Sequence, residues 1–320
     1  MIKIALIGCG KWGKNYLKTL ISMEECELKW VCDLDPRKLK EAGLDYPQIQ
    51  YTENKEDILN DSTVQGVVIA TTPESHYILA KEFINKGKAV LVEKPVTINL
   101  KDSIELINLA AAQSTILMAG YTLMYHPAVR KIKMILKENV SIDDLCYLNM
   151  SRTNALSQVS GVDVLCDLAV HDIYLSHYLV GEEPIWVIAQ GGSYLGSSNN
   201  NVIYILLGFP SGKVASIFAS FIHGEKTRKI ALITSKGKLV FDDVQPADKK
   251  VQFFTNGDNR HVLVDEGDSE PLKLECLHFI ECISENKEPH SGKEYIYFVE
   301  KVTDCITQSL AKGGEKVIIH

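Results

Sequence analysis

The chain has 320 residues, which is more than one ordinary hydrophobic core accommodates. We therefore expect two domains. Of the 320 residues, 46% are hydrophobic and 23% are charged, a composition typical of a globular protein. The formal net charge of -7 gives no support to a nucleic-acid partner, and no apolar run approaches the length that a membrane-spanning helix needs.

Neither the N-terminus nor the cysteines indicate export from the cell. The chain enters an apolar run at Ile2 without the basic and apolar regions of a secretory leader, so the expected location is the cytoplasm. Eight cysteines are scattered along the chain, and no CxxC pair occurs. Scattered cysteines in a large acidic chain are usually buried thiols. We therefore predict neither a disulfide nor a metal site.

The first 13 residues, MIKIALIGCGKWG, predict a dinucleotide site. Residues 2–7 indicate a strand buried on both faces, and Gly8, Gly10 and Gly13 come next as a GxGxxG pattern. The first glycine permits a sharp turn, the second lets backbone approach a pyrophosphate, and the third lets the next helix pack closely. The alternative, a structural glycine turn without a nucleotide, is less favoured because an acidic residue stands at the end of the second strand.

That second predicted strand, 28–32, ends at Asp33. A carboxylate at this distance along the chain can accept hydrogen bonds from the ribose hydroxyls of a dinucleotide. It would repel a 2′-phosphate, and the nearest basic side chain is expected to be Arg37, on the following helix. We therefore predict NAD as the cofactor.

Strands and helices alternate regularly through the first half of the chain. The predicted helices cover 12–23, 37–42, 55–59, 74–86 and 100–113, and the strands cover 2–7, 28–32, 50–52, 67–69, 89–92 and 116–119. Such alternation is typical of a doubly wound parallel sheet, which binds ligands at the C-terminal ends of its strands. The sequence thus predicts an α/β Rossmann domain over residues 1–122.

Polar residues and glycines come after the predicted strands at this edge. The candidate cofactor-binding residues are Gly8, Cys9, Gly10, Lys11, Trp12, Gly13, Asp33, Thr71, Thr72, Pro73, His76, Glu93 and Lys94. Lys94, at the end of a buried strand, would lie near a nicotinamide, although a solvated loop lysine fits the sequence equally well. For His76, a helix-capping or packing role is an equal alternative.

From Tyr121 onwards the pattern changes to long strands. Helices are predicted at 127–138, 163–180, 274–284 and 292–310, and strands at 146–152, 185–190, 202–209, 214–222, 229–234, 239–241, 252–254, 261–264 and 317–319. Turns at 210–213 and 235–238 indicate hairpins. We predict a C-terminal α+β domain over 123–320, built on a large, mostly antiparallel open sheet.

One strand of that sheet predicts an oligomer. Residues 203–207 alternate poorly and are mostly apolar, so both faces of the sheet are expected to be covered, one by helices and one by another subunit. We therefore expect a homodimer or homotetramer.

The predicted helix 163–180 carries a candidate acid–base pair. Asp167 and His171 are four residues apart and share a helix face. An acid so placed can orient an imidazole and raise its basicity, and the apolar neighbours at 168–170 favour this role over an ordinary surface pair. Further candidate substrate contacts are Tyr121, Arg152 and Asn154.

Four motifs together resemble the Gfo/Idh/MocA oxidoreductases. They are GCGKWG at 8–13, VEKP at 92–95, YHPAVRKI at 125–132 and DLAVHDI at 167–173, and the resemblance covers essentially the whole chain. It implies an N-terminal Rossmann domain that binds NAD or NADP, and an α+β domain that supplies the substrate face and the oligomer contacts. It also implies a catalytic group of Lys94, Asp167 and His171, with a Lys94–Pro95 bond that is often cis in relatives.

Within this family the chain looks most like the nucleotide-sugar 3-dehydrogenases, of the type that acts on UDP-N-acetylglucosamine. The segments that carry this likeness are KWGKN at 11–15, LMYHPAVRK at 123–131, DVLCDLAVHDI at 163–173 and LECLHFIECI at 274–283. Met124, Tyr125 and His126 stand where other branches commonly have an Arg and an aromatic residue. This difference counts against a direct match to inositol or glucose dehydrogenases.

The expected function is therefore that of an NAD-dependent dehydrogenase acting on a small-molecule sugar. Hydride would pass to the nicotinamide from a secondary alcohol, most simply C3 of a nucleotide sugar. His171 or Lys94 would take the hydroxyl proton, the other would stabilise the alkoxide, and Asp167 would orient the pair. Two alternatives stay open: a dehydrogenase of a free sugar or cyclitol, and a non-catalytic NAD-binding sensor, which would need none of these three residues.

Overall fold

A computed structural model of the chain describes residues 1–138, 144–154, 162–196, 198–255, 258–262 and 270–320. The chain divides into two compact units. The first contains Met1–Thr122 and Glu270–Tyr297, and the second contains Leu123–Ser269 and Phe298–His320. In the described ranges, no helix combines the length and the apolar character needed to cross a membrane.

The first unit is built on a parallel sheet of six strands. They are β1 (Ile2–Ile7), β2 (Cys26–Cys32), β3 (Gln50–Thr52), β4 (Gly66–Ile69), β5 (Ala89–Glu93) and β6 (Leu117–Gly120). The order β3-β2-β1-β4-β5-β6 reverses direction between β1 and β4, and all pairs are parallel. This confirms the predicted Rossmann domain and places the ligand crevice at the ends of β1 and β4.

Helices connect these strands. They are α1 (Lys11–Ile21), α2 (Pro36–Asp45), α3 (Glu56–Leu59), α4 (Pro73–Asn85) and α5 (Leu100–Ala112). Asp35 caps α2 by accepting the Arg37 N–H, and Asn99 caps α5 by accepting the Asp102 N–H. The predicted elements are all present, with ends shifted by three residues or fewer.

A helix from the far end of the sequence, α8 (Pro271–Glu285), also belongs to the first unit. A methyl group added at Gly66 would lie 2.7 Å from Ile283 and 3.2 Å from Phe279, so α8 packs directly on β4. The expected division at 122/123 assigned this helix to the second domain. Helical periodicity shows that a segment has an apolar face, but not which core that face joins.

The second unit contains a sheet of nine strands, counted over the described residues. They are β7 (Leu145–Thr153), β8 (Trp186–Gly192), β9 (Val202–Gly208), β10 (Val214–Ser220), β11 (Thr227–Thr234), β12 (Gly237–Asp242), β13 (Val251–Thr255), β14 (Asp258–His261) and β15 (Val317–Ile318). The order is β14-β13-β12-β11-β7-β10-β9-β8-β15, and β7 and β10 form its parallel pair. The predicted mostly antiparallel sheet is confirmed; residues 263–264 of one predicted strand lie outside the described residues.

In β9, buried and exposed side chains alternate clearly, although apolar and polar residue types do not. In β9, Ile203, Ile205 and Leu207 are buried, whereas Tyr204 and Leu206 are 57% and 40% exposed. Tyr204 stacks on Phe218 of β10, with 4.6 Å between ring centroids. The chain therefore buries one face of the sheet and leaves apolar side chains exposed on the other.

The helices of the second unit come after a short 3₁₀ turn at Thr122–Tyr125. They are α6 (Pro127–Glu138), α7 (Val170–Val180) and most of α9 (Lys293–Ala311), with a second 3₁₀ turn at Ala247–Lys249. The predicted helix 163–180 has two parts, because a π-helical turn at Leu165–Ala169 precedes α7. Gly181 ends α7 in the left-handed conformation, with φ of 77°.

Candidate active site

The glycine turn after β1 is tightly packed at its first and third glycines and open at its second. Gly8 has φ of +97°, and a side chain there would lie 2.6 Å from the Ala70 carbonyl oxygen; one at Gly13 would lie 2.0 Å from the Gly8 carbonyl oxygen. Both positions therefore require glycine. At Gly10, by contrast, an added methyl group would contact nothing within 4 Å. This open space lies where a pyrophosphate approaches the backbone in a dinucleotide fold.

The start of α1 lies at the same place. Gly10 is its N-cap and provides no side-chain hydrogen bond, and the N–H groups of a first helical turn have no acceptor within the helix. Lys11 and Trp12 are exposed on this turn. Free amides and the positive end of the helix dipole favour an anion, so these residues fit the diphosphate of NAD.

Asp33 is held against the glycine turn by backbone amides. The Cys9 N–H donates to Oδ2 of Asp33 over 2.7 Å, and the Asp35 N–H donates to Oδ1 over 2.9 Å. Arg37 was expected to be the basic side chain nearest to Asp33, and this expectation is wrong. Arg37 pairs with Asp35, and it is the Lys38 Nζ that lies 3.4 Å from both carboxylate oxygens of Asp33. Burial, followed by the charge of Asp33, raises the pKa of the Cys9 thiol, so Cys9 is a small neutral residue here.

The loop after β4 adjoins this turn. A methyl group at Gly8 would lie 2.9 Å from Cγ2 of Thr71, and the Thr71 hydroxyl contacts the Ser75 hydroxyl at 2.7 Å. Thr72 and Pro73 are the N-cap and first residue of α4.

His76 occupies the first turns of α4 and is 1% exposed. Its ring nitrogens lie 2.8 Å from the Pro95 carbonyl oxygen and 3.2 Å from that of Thr71. Burial lowers the pKa of His76, and the contacts with these two carbonyl oxygens partly oppose that effect. The side chain thus joins the loops after β4 and β5, as the packing alternative predicts.

The two charged residues at the end of β5 face different surroundings. The Glu93 carboxylate is buried, where Oε2 accepts the Lys94 N–H over 3.1 Å and Oε1 accepts the Tyr16 hydroxyl over 3.0 Å. Lys94 itself is half-buried, and the Lys94–Pro95 bond is cis. Tyr121, just after β6, is 1% exposed. Glu93 therefore belongs to the interior of the first unit, and Lys94 stands at the ligand-binding edge of its sheet.

In the second unit, Asp167 lies in the π-helical turn and His171 in the first turn of α7, and both are half-buried. The Nδ1 atom of His171 is 2.8 Å from the hydroxyl of Tyr174, a fully buried residue. The same hydroxyl accepts the Leu123 N–H over 3.3 Å. Tyr174 is thus a candidate that sequence reasoning missed, although its position three residues after His171 was a signal. The orienting role of Asp167 stays a prediction.

Arg152 forms a buried ion pair with Asp172, the neighbour of His171 in the chain. Arg152 Nη2 lies 2.8 Å from Oδ1 of Asp172 and Nε lies 3.3 Å from Oδ2, and the side chains are 4% and 1% exposed. Burial lowers the pKa of Arg152, but the charge and hydrogen bond of Asp172, together with the charges of Tyr174 and Asp243, raise it overall. The pair fastens α7 to the end of β7.

Asn154, just past β7, is oriented by a second arginine. Arg228 Nη2 donates to the Asn154 Oδ1 over 2.6 Å, and its Nη1 donates to the carbonyl oxygens of Thr153 and Thr227. Burial, followed by the charge of Arg152, lowers the pKa of Arg228. The register of β7 and β11 pairs Arg228 with Arg152. No local sequence signal indicates Arg228, because its partners come from strand pairing.

Within the described ranges, no three His, Cys, Asp or Glu side chains are grouped so that they could hold a metal ion. Each unit thus presents its own groups. The first has a dinucleotide cradle and a lysine at a strand end, and the second has a histidine fixed by a tyrosine on a buried helix.

Comparison with known proteins adds two matching family models. The model for the GFO_IDH_MocA oxidoreductase family, NAD-binding Rossmann fold, matches residues 2–121. The model for the GFO/IDH/MocA C-terminal domain matches residues 146–240. The two models belong to the same family and together cover most of the chain. The predicted NAD cofactor is confirmed by the first of them.

Individual proteins are similar along nearly the full length. The uncharacterised oxidoreductase YrbE of Bacillus subtilis is 25% identical over 337 residues, covering 100% of this chain and 97% of YrbE. The solved structure of UDP-N-acetylglucosamine 3-dehydrogenase GnnA from Acidithiobacillus ferrooxidans has a TM-score of 0.87 at 20% identity and covers 98% of each chain. Levoglucosan dehydrogenase in complex with NADH has a TM-score of 0.90 at 20% identity, covering 100% of this chain and 99% of that one. The solved structures show a shared fold, and the two family models show that the chain belongs to the Gfo/Idh/MocA family and is an NAD-dependent oxidoreductase.

Proposed function

We propose that this enzyme oxidises a secondary alcohol of a sugar, and that the sugar is a nucleotide sugar oxidised at C3. The observation that carries the alcohol chemistry is the contact of 2.8 Å between His171 Nδ1 and the Tyr174 hydroxyl, which fixes the imidazole on a buried helix. The nucleotide-sugar choice is supported by the branch motifs in the sequence and by the likeness to UDP-N-acetylglucosamine 3-dehydrogenase.

In this proposal His171 accepts the hydroxyl proton at Nε2. Nδ1 then carries a proton that it donates to the Tyr174 oxygen, whose two lone pairs can accept both this proton and the Leu123 N–H. The Lys94 ammonium stabilises negative charge on the substrate oxygen as the C–O bond becomes a carbonyl, and Asp167 orients the pair. Bound NAD supplies the acceptor for the hydride that leaves the same carbon.

The remaining candidates take different roles. Because Asn154 Oδ1 accepts from Arg228, its amide NH₂ is directed away from that guanidinium and is a suitable donor to a sugar hydroxyl. Arg152, buried against Asp172, positions α7 instead of contacting the sugar. Tyr121 is likewise assigned to packing because it is buried.

We also propose a cytoplasmic homodimer or homotetramer. The exposed apolar side chains on the outer sheet face, Tyr147, Tyr204 and Leu206 among them, support association through that face. An NAD-dependent enzyme with eight thiols suits a reducing compartment.

The test separates cofactor binding from chemistry. Lys94→Met and His171→Ala should each lower turnover by roughly 10²- to 10⁴-fold, the usual contribution of a positioned acid or base, and Asp167→Asn should have a similar or smaller effect. NADH affinity, measured by fluorescence, should stay at the parent value. Turnover is measured with a panel of UDP-sugars, free sugars and cyclitols, so that the same assay decides between the proposed substrate class and its alternative.

Two exposed residues provide matched controls. Lys101→Met on α5 and His223→Ala after β10 remove the same kinds of side chain from the surface, and both should turn over like the parent. If Lys94→Met and His171→Ala also turn over the best substrate like the parent, the catalytic assignment is wrong. Turnover of free sugars or cyclitols alone would refute the nucleotide-sugar proposal.

A further inference from the structure

Two buried carboxyl groups share one tyrosine hydroxyl inside the first unit. The hydroxyl of Tyr16, on α1, lies 3.0 Å from Glu93 Oε1 and 3.2 Å from Glu275 Oε2, the latter on α8. Tyr16 and Glu275 are 0% exposed and Glu93 is 6% exposed. The proposed chemistry uses neither Tyr16 nor Glu275, so the cluster needs an explanation of its own.

The available protons do not satisfy both carboxyl groups if both are ionised. A phenol has one proton and can donate it to one acceptor only. With Glu93 and Glu275 both charged, one of the two contacts would bring lone pairs together, and two like charges would face each other in a dry site. The short distances on both sides of Tyr16 therefore require one more proton, on one of the carboxyl groups.

The surroundings place that proton on Glu275. Glu93 accepts the Lys94 N–H and lies close to the Lys94 charge, which opposes the effect of burial on its pKa. Glu275 Oε2 accepts the Thr122 hydroxyl over 3.1 Å, and among the described residues Oε1 of Glu275 has no hydrogen-bond partner. An ionised carboxylate with a bare oxygen in a fully buried site is far more costly than a neutral acid.

We propose that Glu275 is kept as a neutral carboxylic acid, which donates to Tyr16 and so fixes Glu93 and the turn that carries Lys94. Glu275 is thus a positioning residue, three hydrogen bonds away from the Lys94 backbone, and its effect on turnover rests on the function proposed for Lys94. Space around the cluster is tight: a methyl group added at Gly120 would lie 3.3 Å from both the Tyr16 hydroxyl and the Cα of Glu93. Such packing leaves the three side chains little freedom to rearrange.

Neutrality of Glu275 has a consequence for stability. Burial, followed by the charge of Glu93, raises the pKa of Glu275 well above its usual value, so the unfolded chain loses this proton at lower pH than the folded chain does. The contribution of Glu275 to stability must therefore fall as the pH rises above about 4.5, and continue to fall up to the folded pKa of Glu275. The other titratable groups facing Glu275 are Tyr16, Glu93 and Cys276, and burial raises the pKa of each of them.

The decisive comparison is between Glu275→Gln and Glu275→Leu. The glutamine amide can donate to Tyr16 as the neutral acid does, so Glu275→Gln should keep turnover within roughly threefold of the parent. Glu275→Leu and Tyr16→Phe should lower kcat by about tenfold or more without changing NADH affinity, because they release Glu93 and the Lys94 turn. Glu281→Gln, at an exposed site on the same helix, is the control and should change neither property.

Stability is measured in parallel by urea unfolding between pH 5.5 and 8. Relative to the parent, Glu275→Gln should gain stability as the pH rises, by about tenfold in the unfolding equilibrium constant per pH unit while the pH is below the folded pKa of Glu275. Equal pH dependence of parent and Glu275→Gln would overturn the proposal. For the case in which Glu275→Gln fails to fold, the parent is examined by infrared spectroscopy at pH 7, where the carbonyl band of a protonated carboxyl group is expected and its absence refutes neutrality.

These outcomes separate the two proposals. The pH dependence and the infrared band report on Glu275 whatever the reaction is. A neutral Glu275 together with an unaffected Lys94→Met variant would refute the catalytic assignment only. An ionised Glu275 together with a large loss in Lys94→Met would refute the positioning proposal only.

Discussion

Removing Arg152 tests whether the buried ion pair with Asp172 holds α7, the helix that carries His171. Arg152→Met retains much of the apolar stem but removes the guanidinium, so it leaves Asp172 buried without its counter-charge. Nitrogen–oxygen distances of 2.8 and 3.3 Å imply charge centres about 4 Å apart, which at an effective dielectric constant of about 20 corresponds to about 4 kcal/mol. Removing one partner of a buried ion pair typically costs about 3–5 kcal/mol, which agrees with this estimate.

For a unit of this size, about 3–5 kcal/mol corresponds to a fall in melting temperature of roughly 6–20 °C. The loss should also depend on pH. Burial raises the pKa of Asp172 even beside Arg152, and without the guanidinium it would raise that pKa further. In the variant the unfolded chain therefore loses this proton first over a wider pH range, so the variant loses more stability than the parent as the pH rises. At pH 5 the deficit relative to the parent should be smaller than at pH 8.

Thermal unfolding of parent and variant across this pH range checks the prediction. Arg37→Met is a suitable control, because Arg37 pairs with Asp35 at a side-chain exposure of 90% and its loss should leave the melting temperature essentially unchanged. If Arg152→Met melts within about 2 °C of the parent at every pH, the ion pair does not hold the helix and the reasoning fails.

Two further predictions concern the cofactor and the assembly. Asp33→Ser removes the ribose acceptor but leaves Lys38 for a 2′-phosphate, so NADH affinity should fall by about 10- to 100-fold while NADPH affinity rises. Titration with both cofactors checks this prediction. An unchanged preference for NADH would count against the role of Asp33. Leu206→Glu places a charge on the outer sheet face and should weaken association through it. Light scattering should show an oligomer for the parent and a smaller species for the variant. A monomeric parent would contradict the proposed interface.

The sequence determined those features whose causes are local. β1, the glycine turn and Asp33 lie within one short segment, and apolar periodicity with N-caps such as Asp35 defined the alternating elements of the Rossmann sheet. Periodicity also placed His171 on a mostly buried helix. Fold class, cofactor and family were therefore predictable, because each depends on spacing along the chain.

Side-chain direction was harder to predict, even close to a correctly assigned element. Arg37 and Lys38 are adjacent on α2, but successive helical residues point about 100° apart, and only Lys38 reaches Asp33. In the same way, sequence placed Glu93 at the ligand-binding edge, whereas its side chain turns into the interior of the first unit.

Only the tertiary structure decided which distant segments meet. Glu275 is 259 residues from Tyr16 in the sequence, and their contact depends on α8 packing with the first unit instead of the second. Arg228 is paired with Arg152 by the register of β7 and β11, which no local pattern specifies. Periodicity indicates that a helix face is apolar or that a strand exists. Which element packs against that face or pairs with that strand is decided by packing of the complete core. The sequence by itself gives no distance between two such elements.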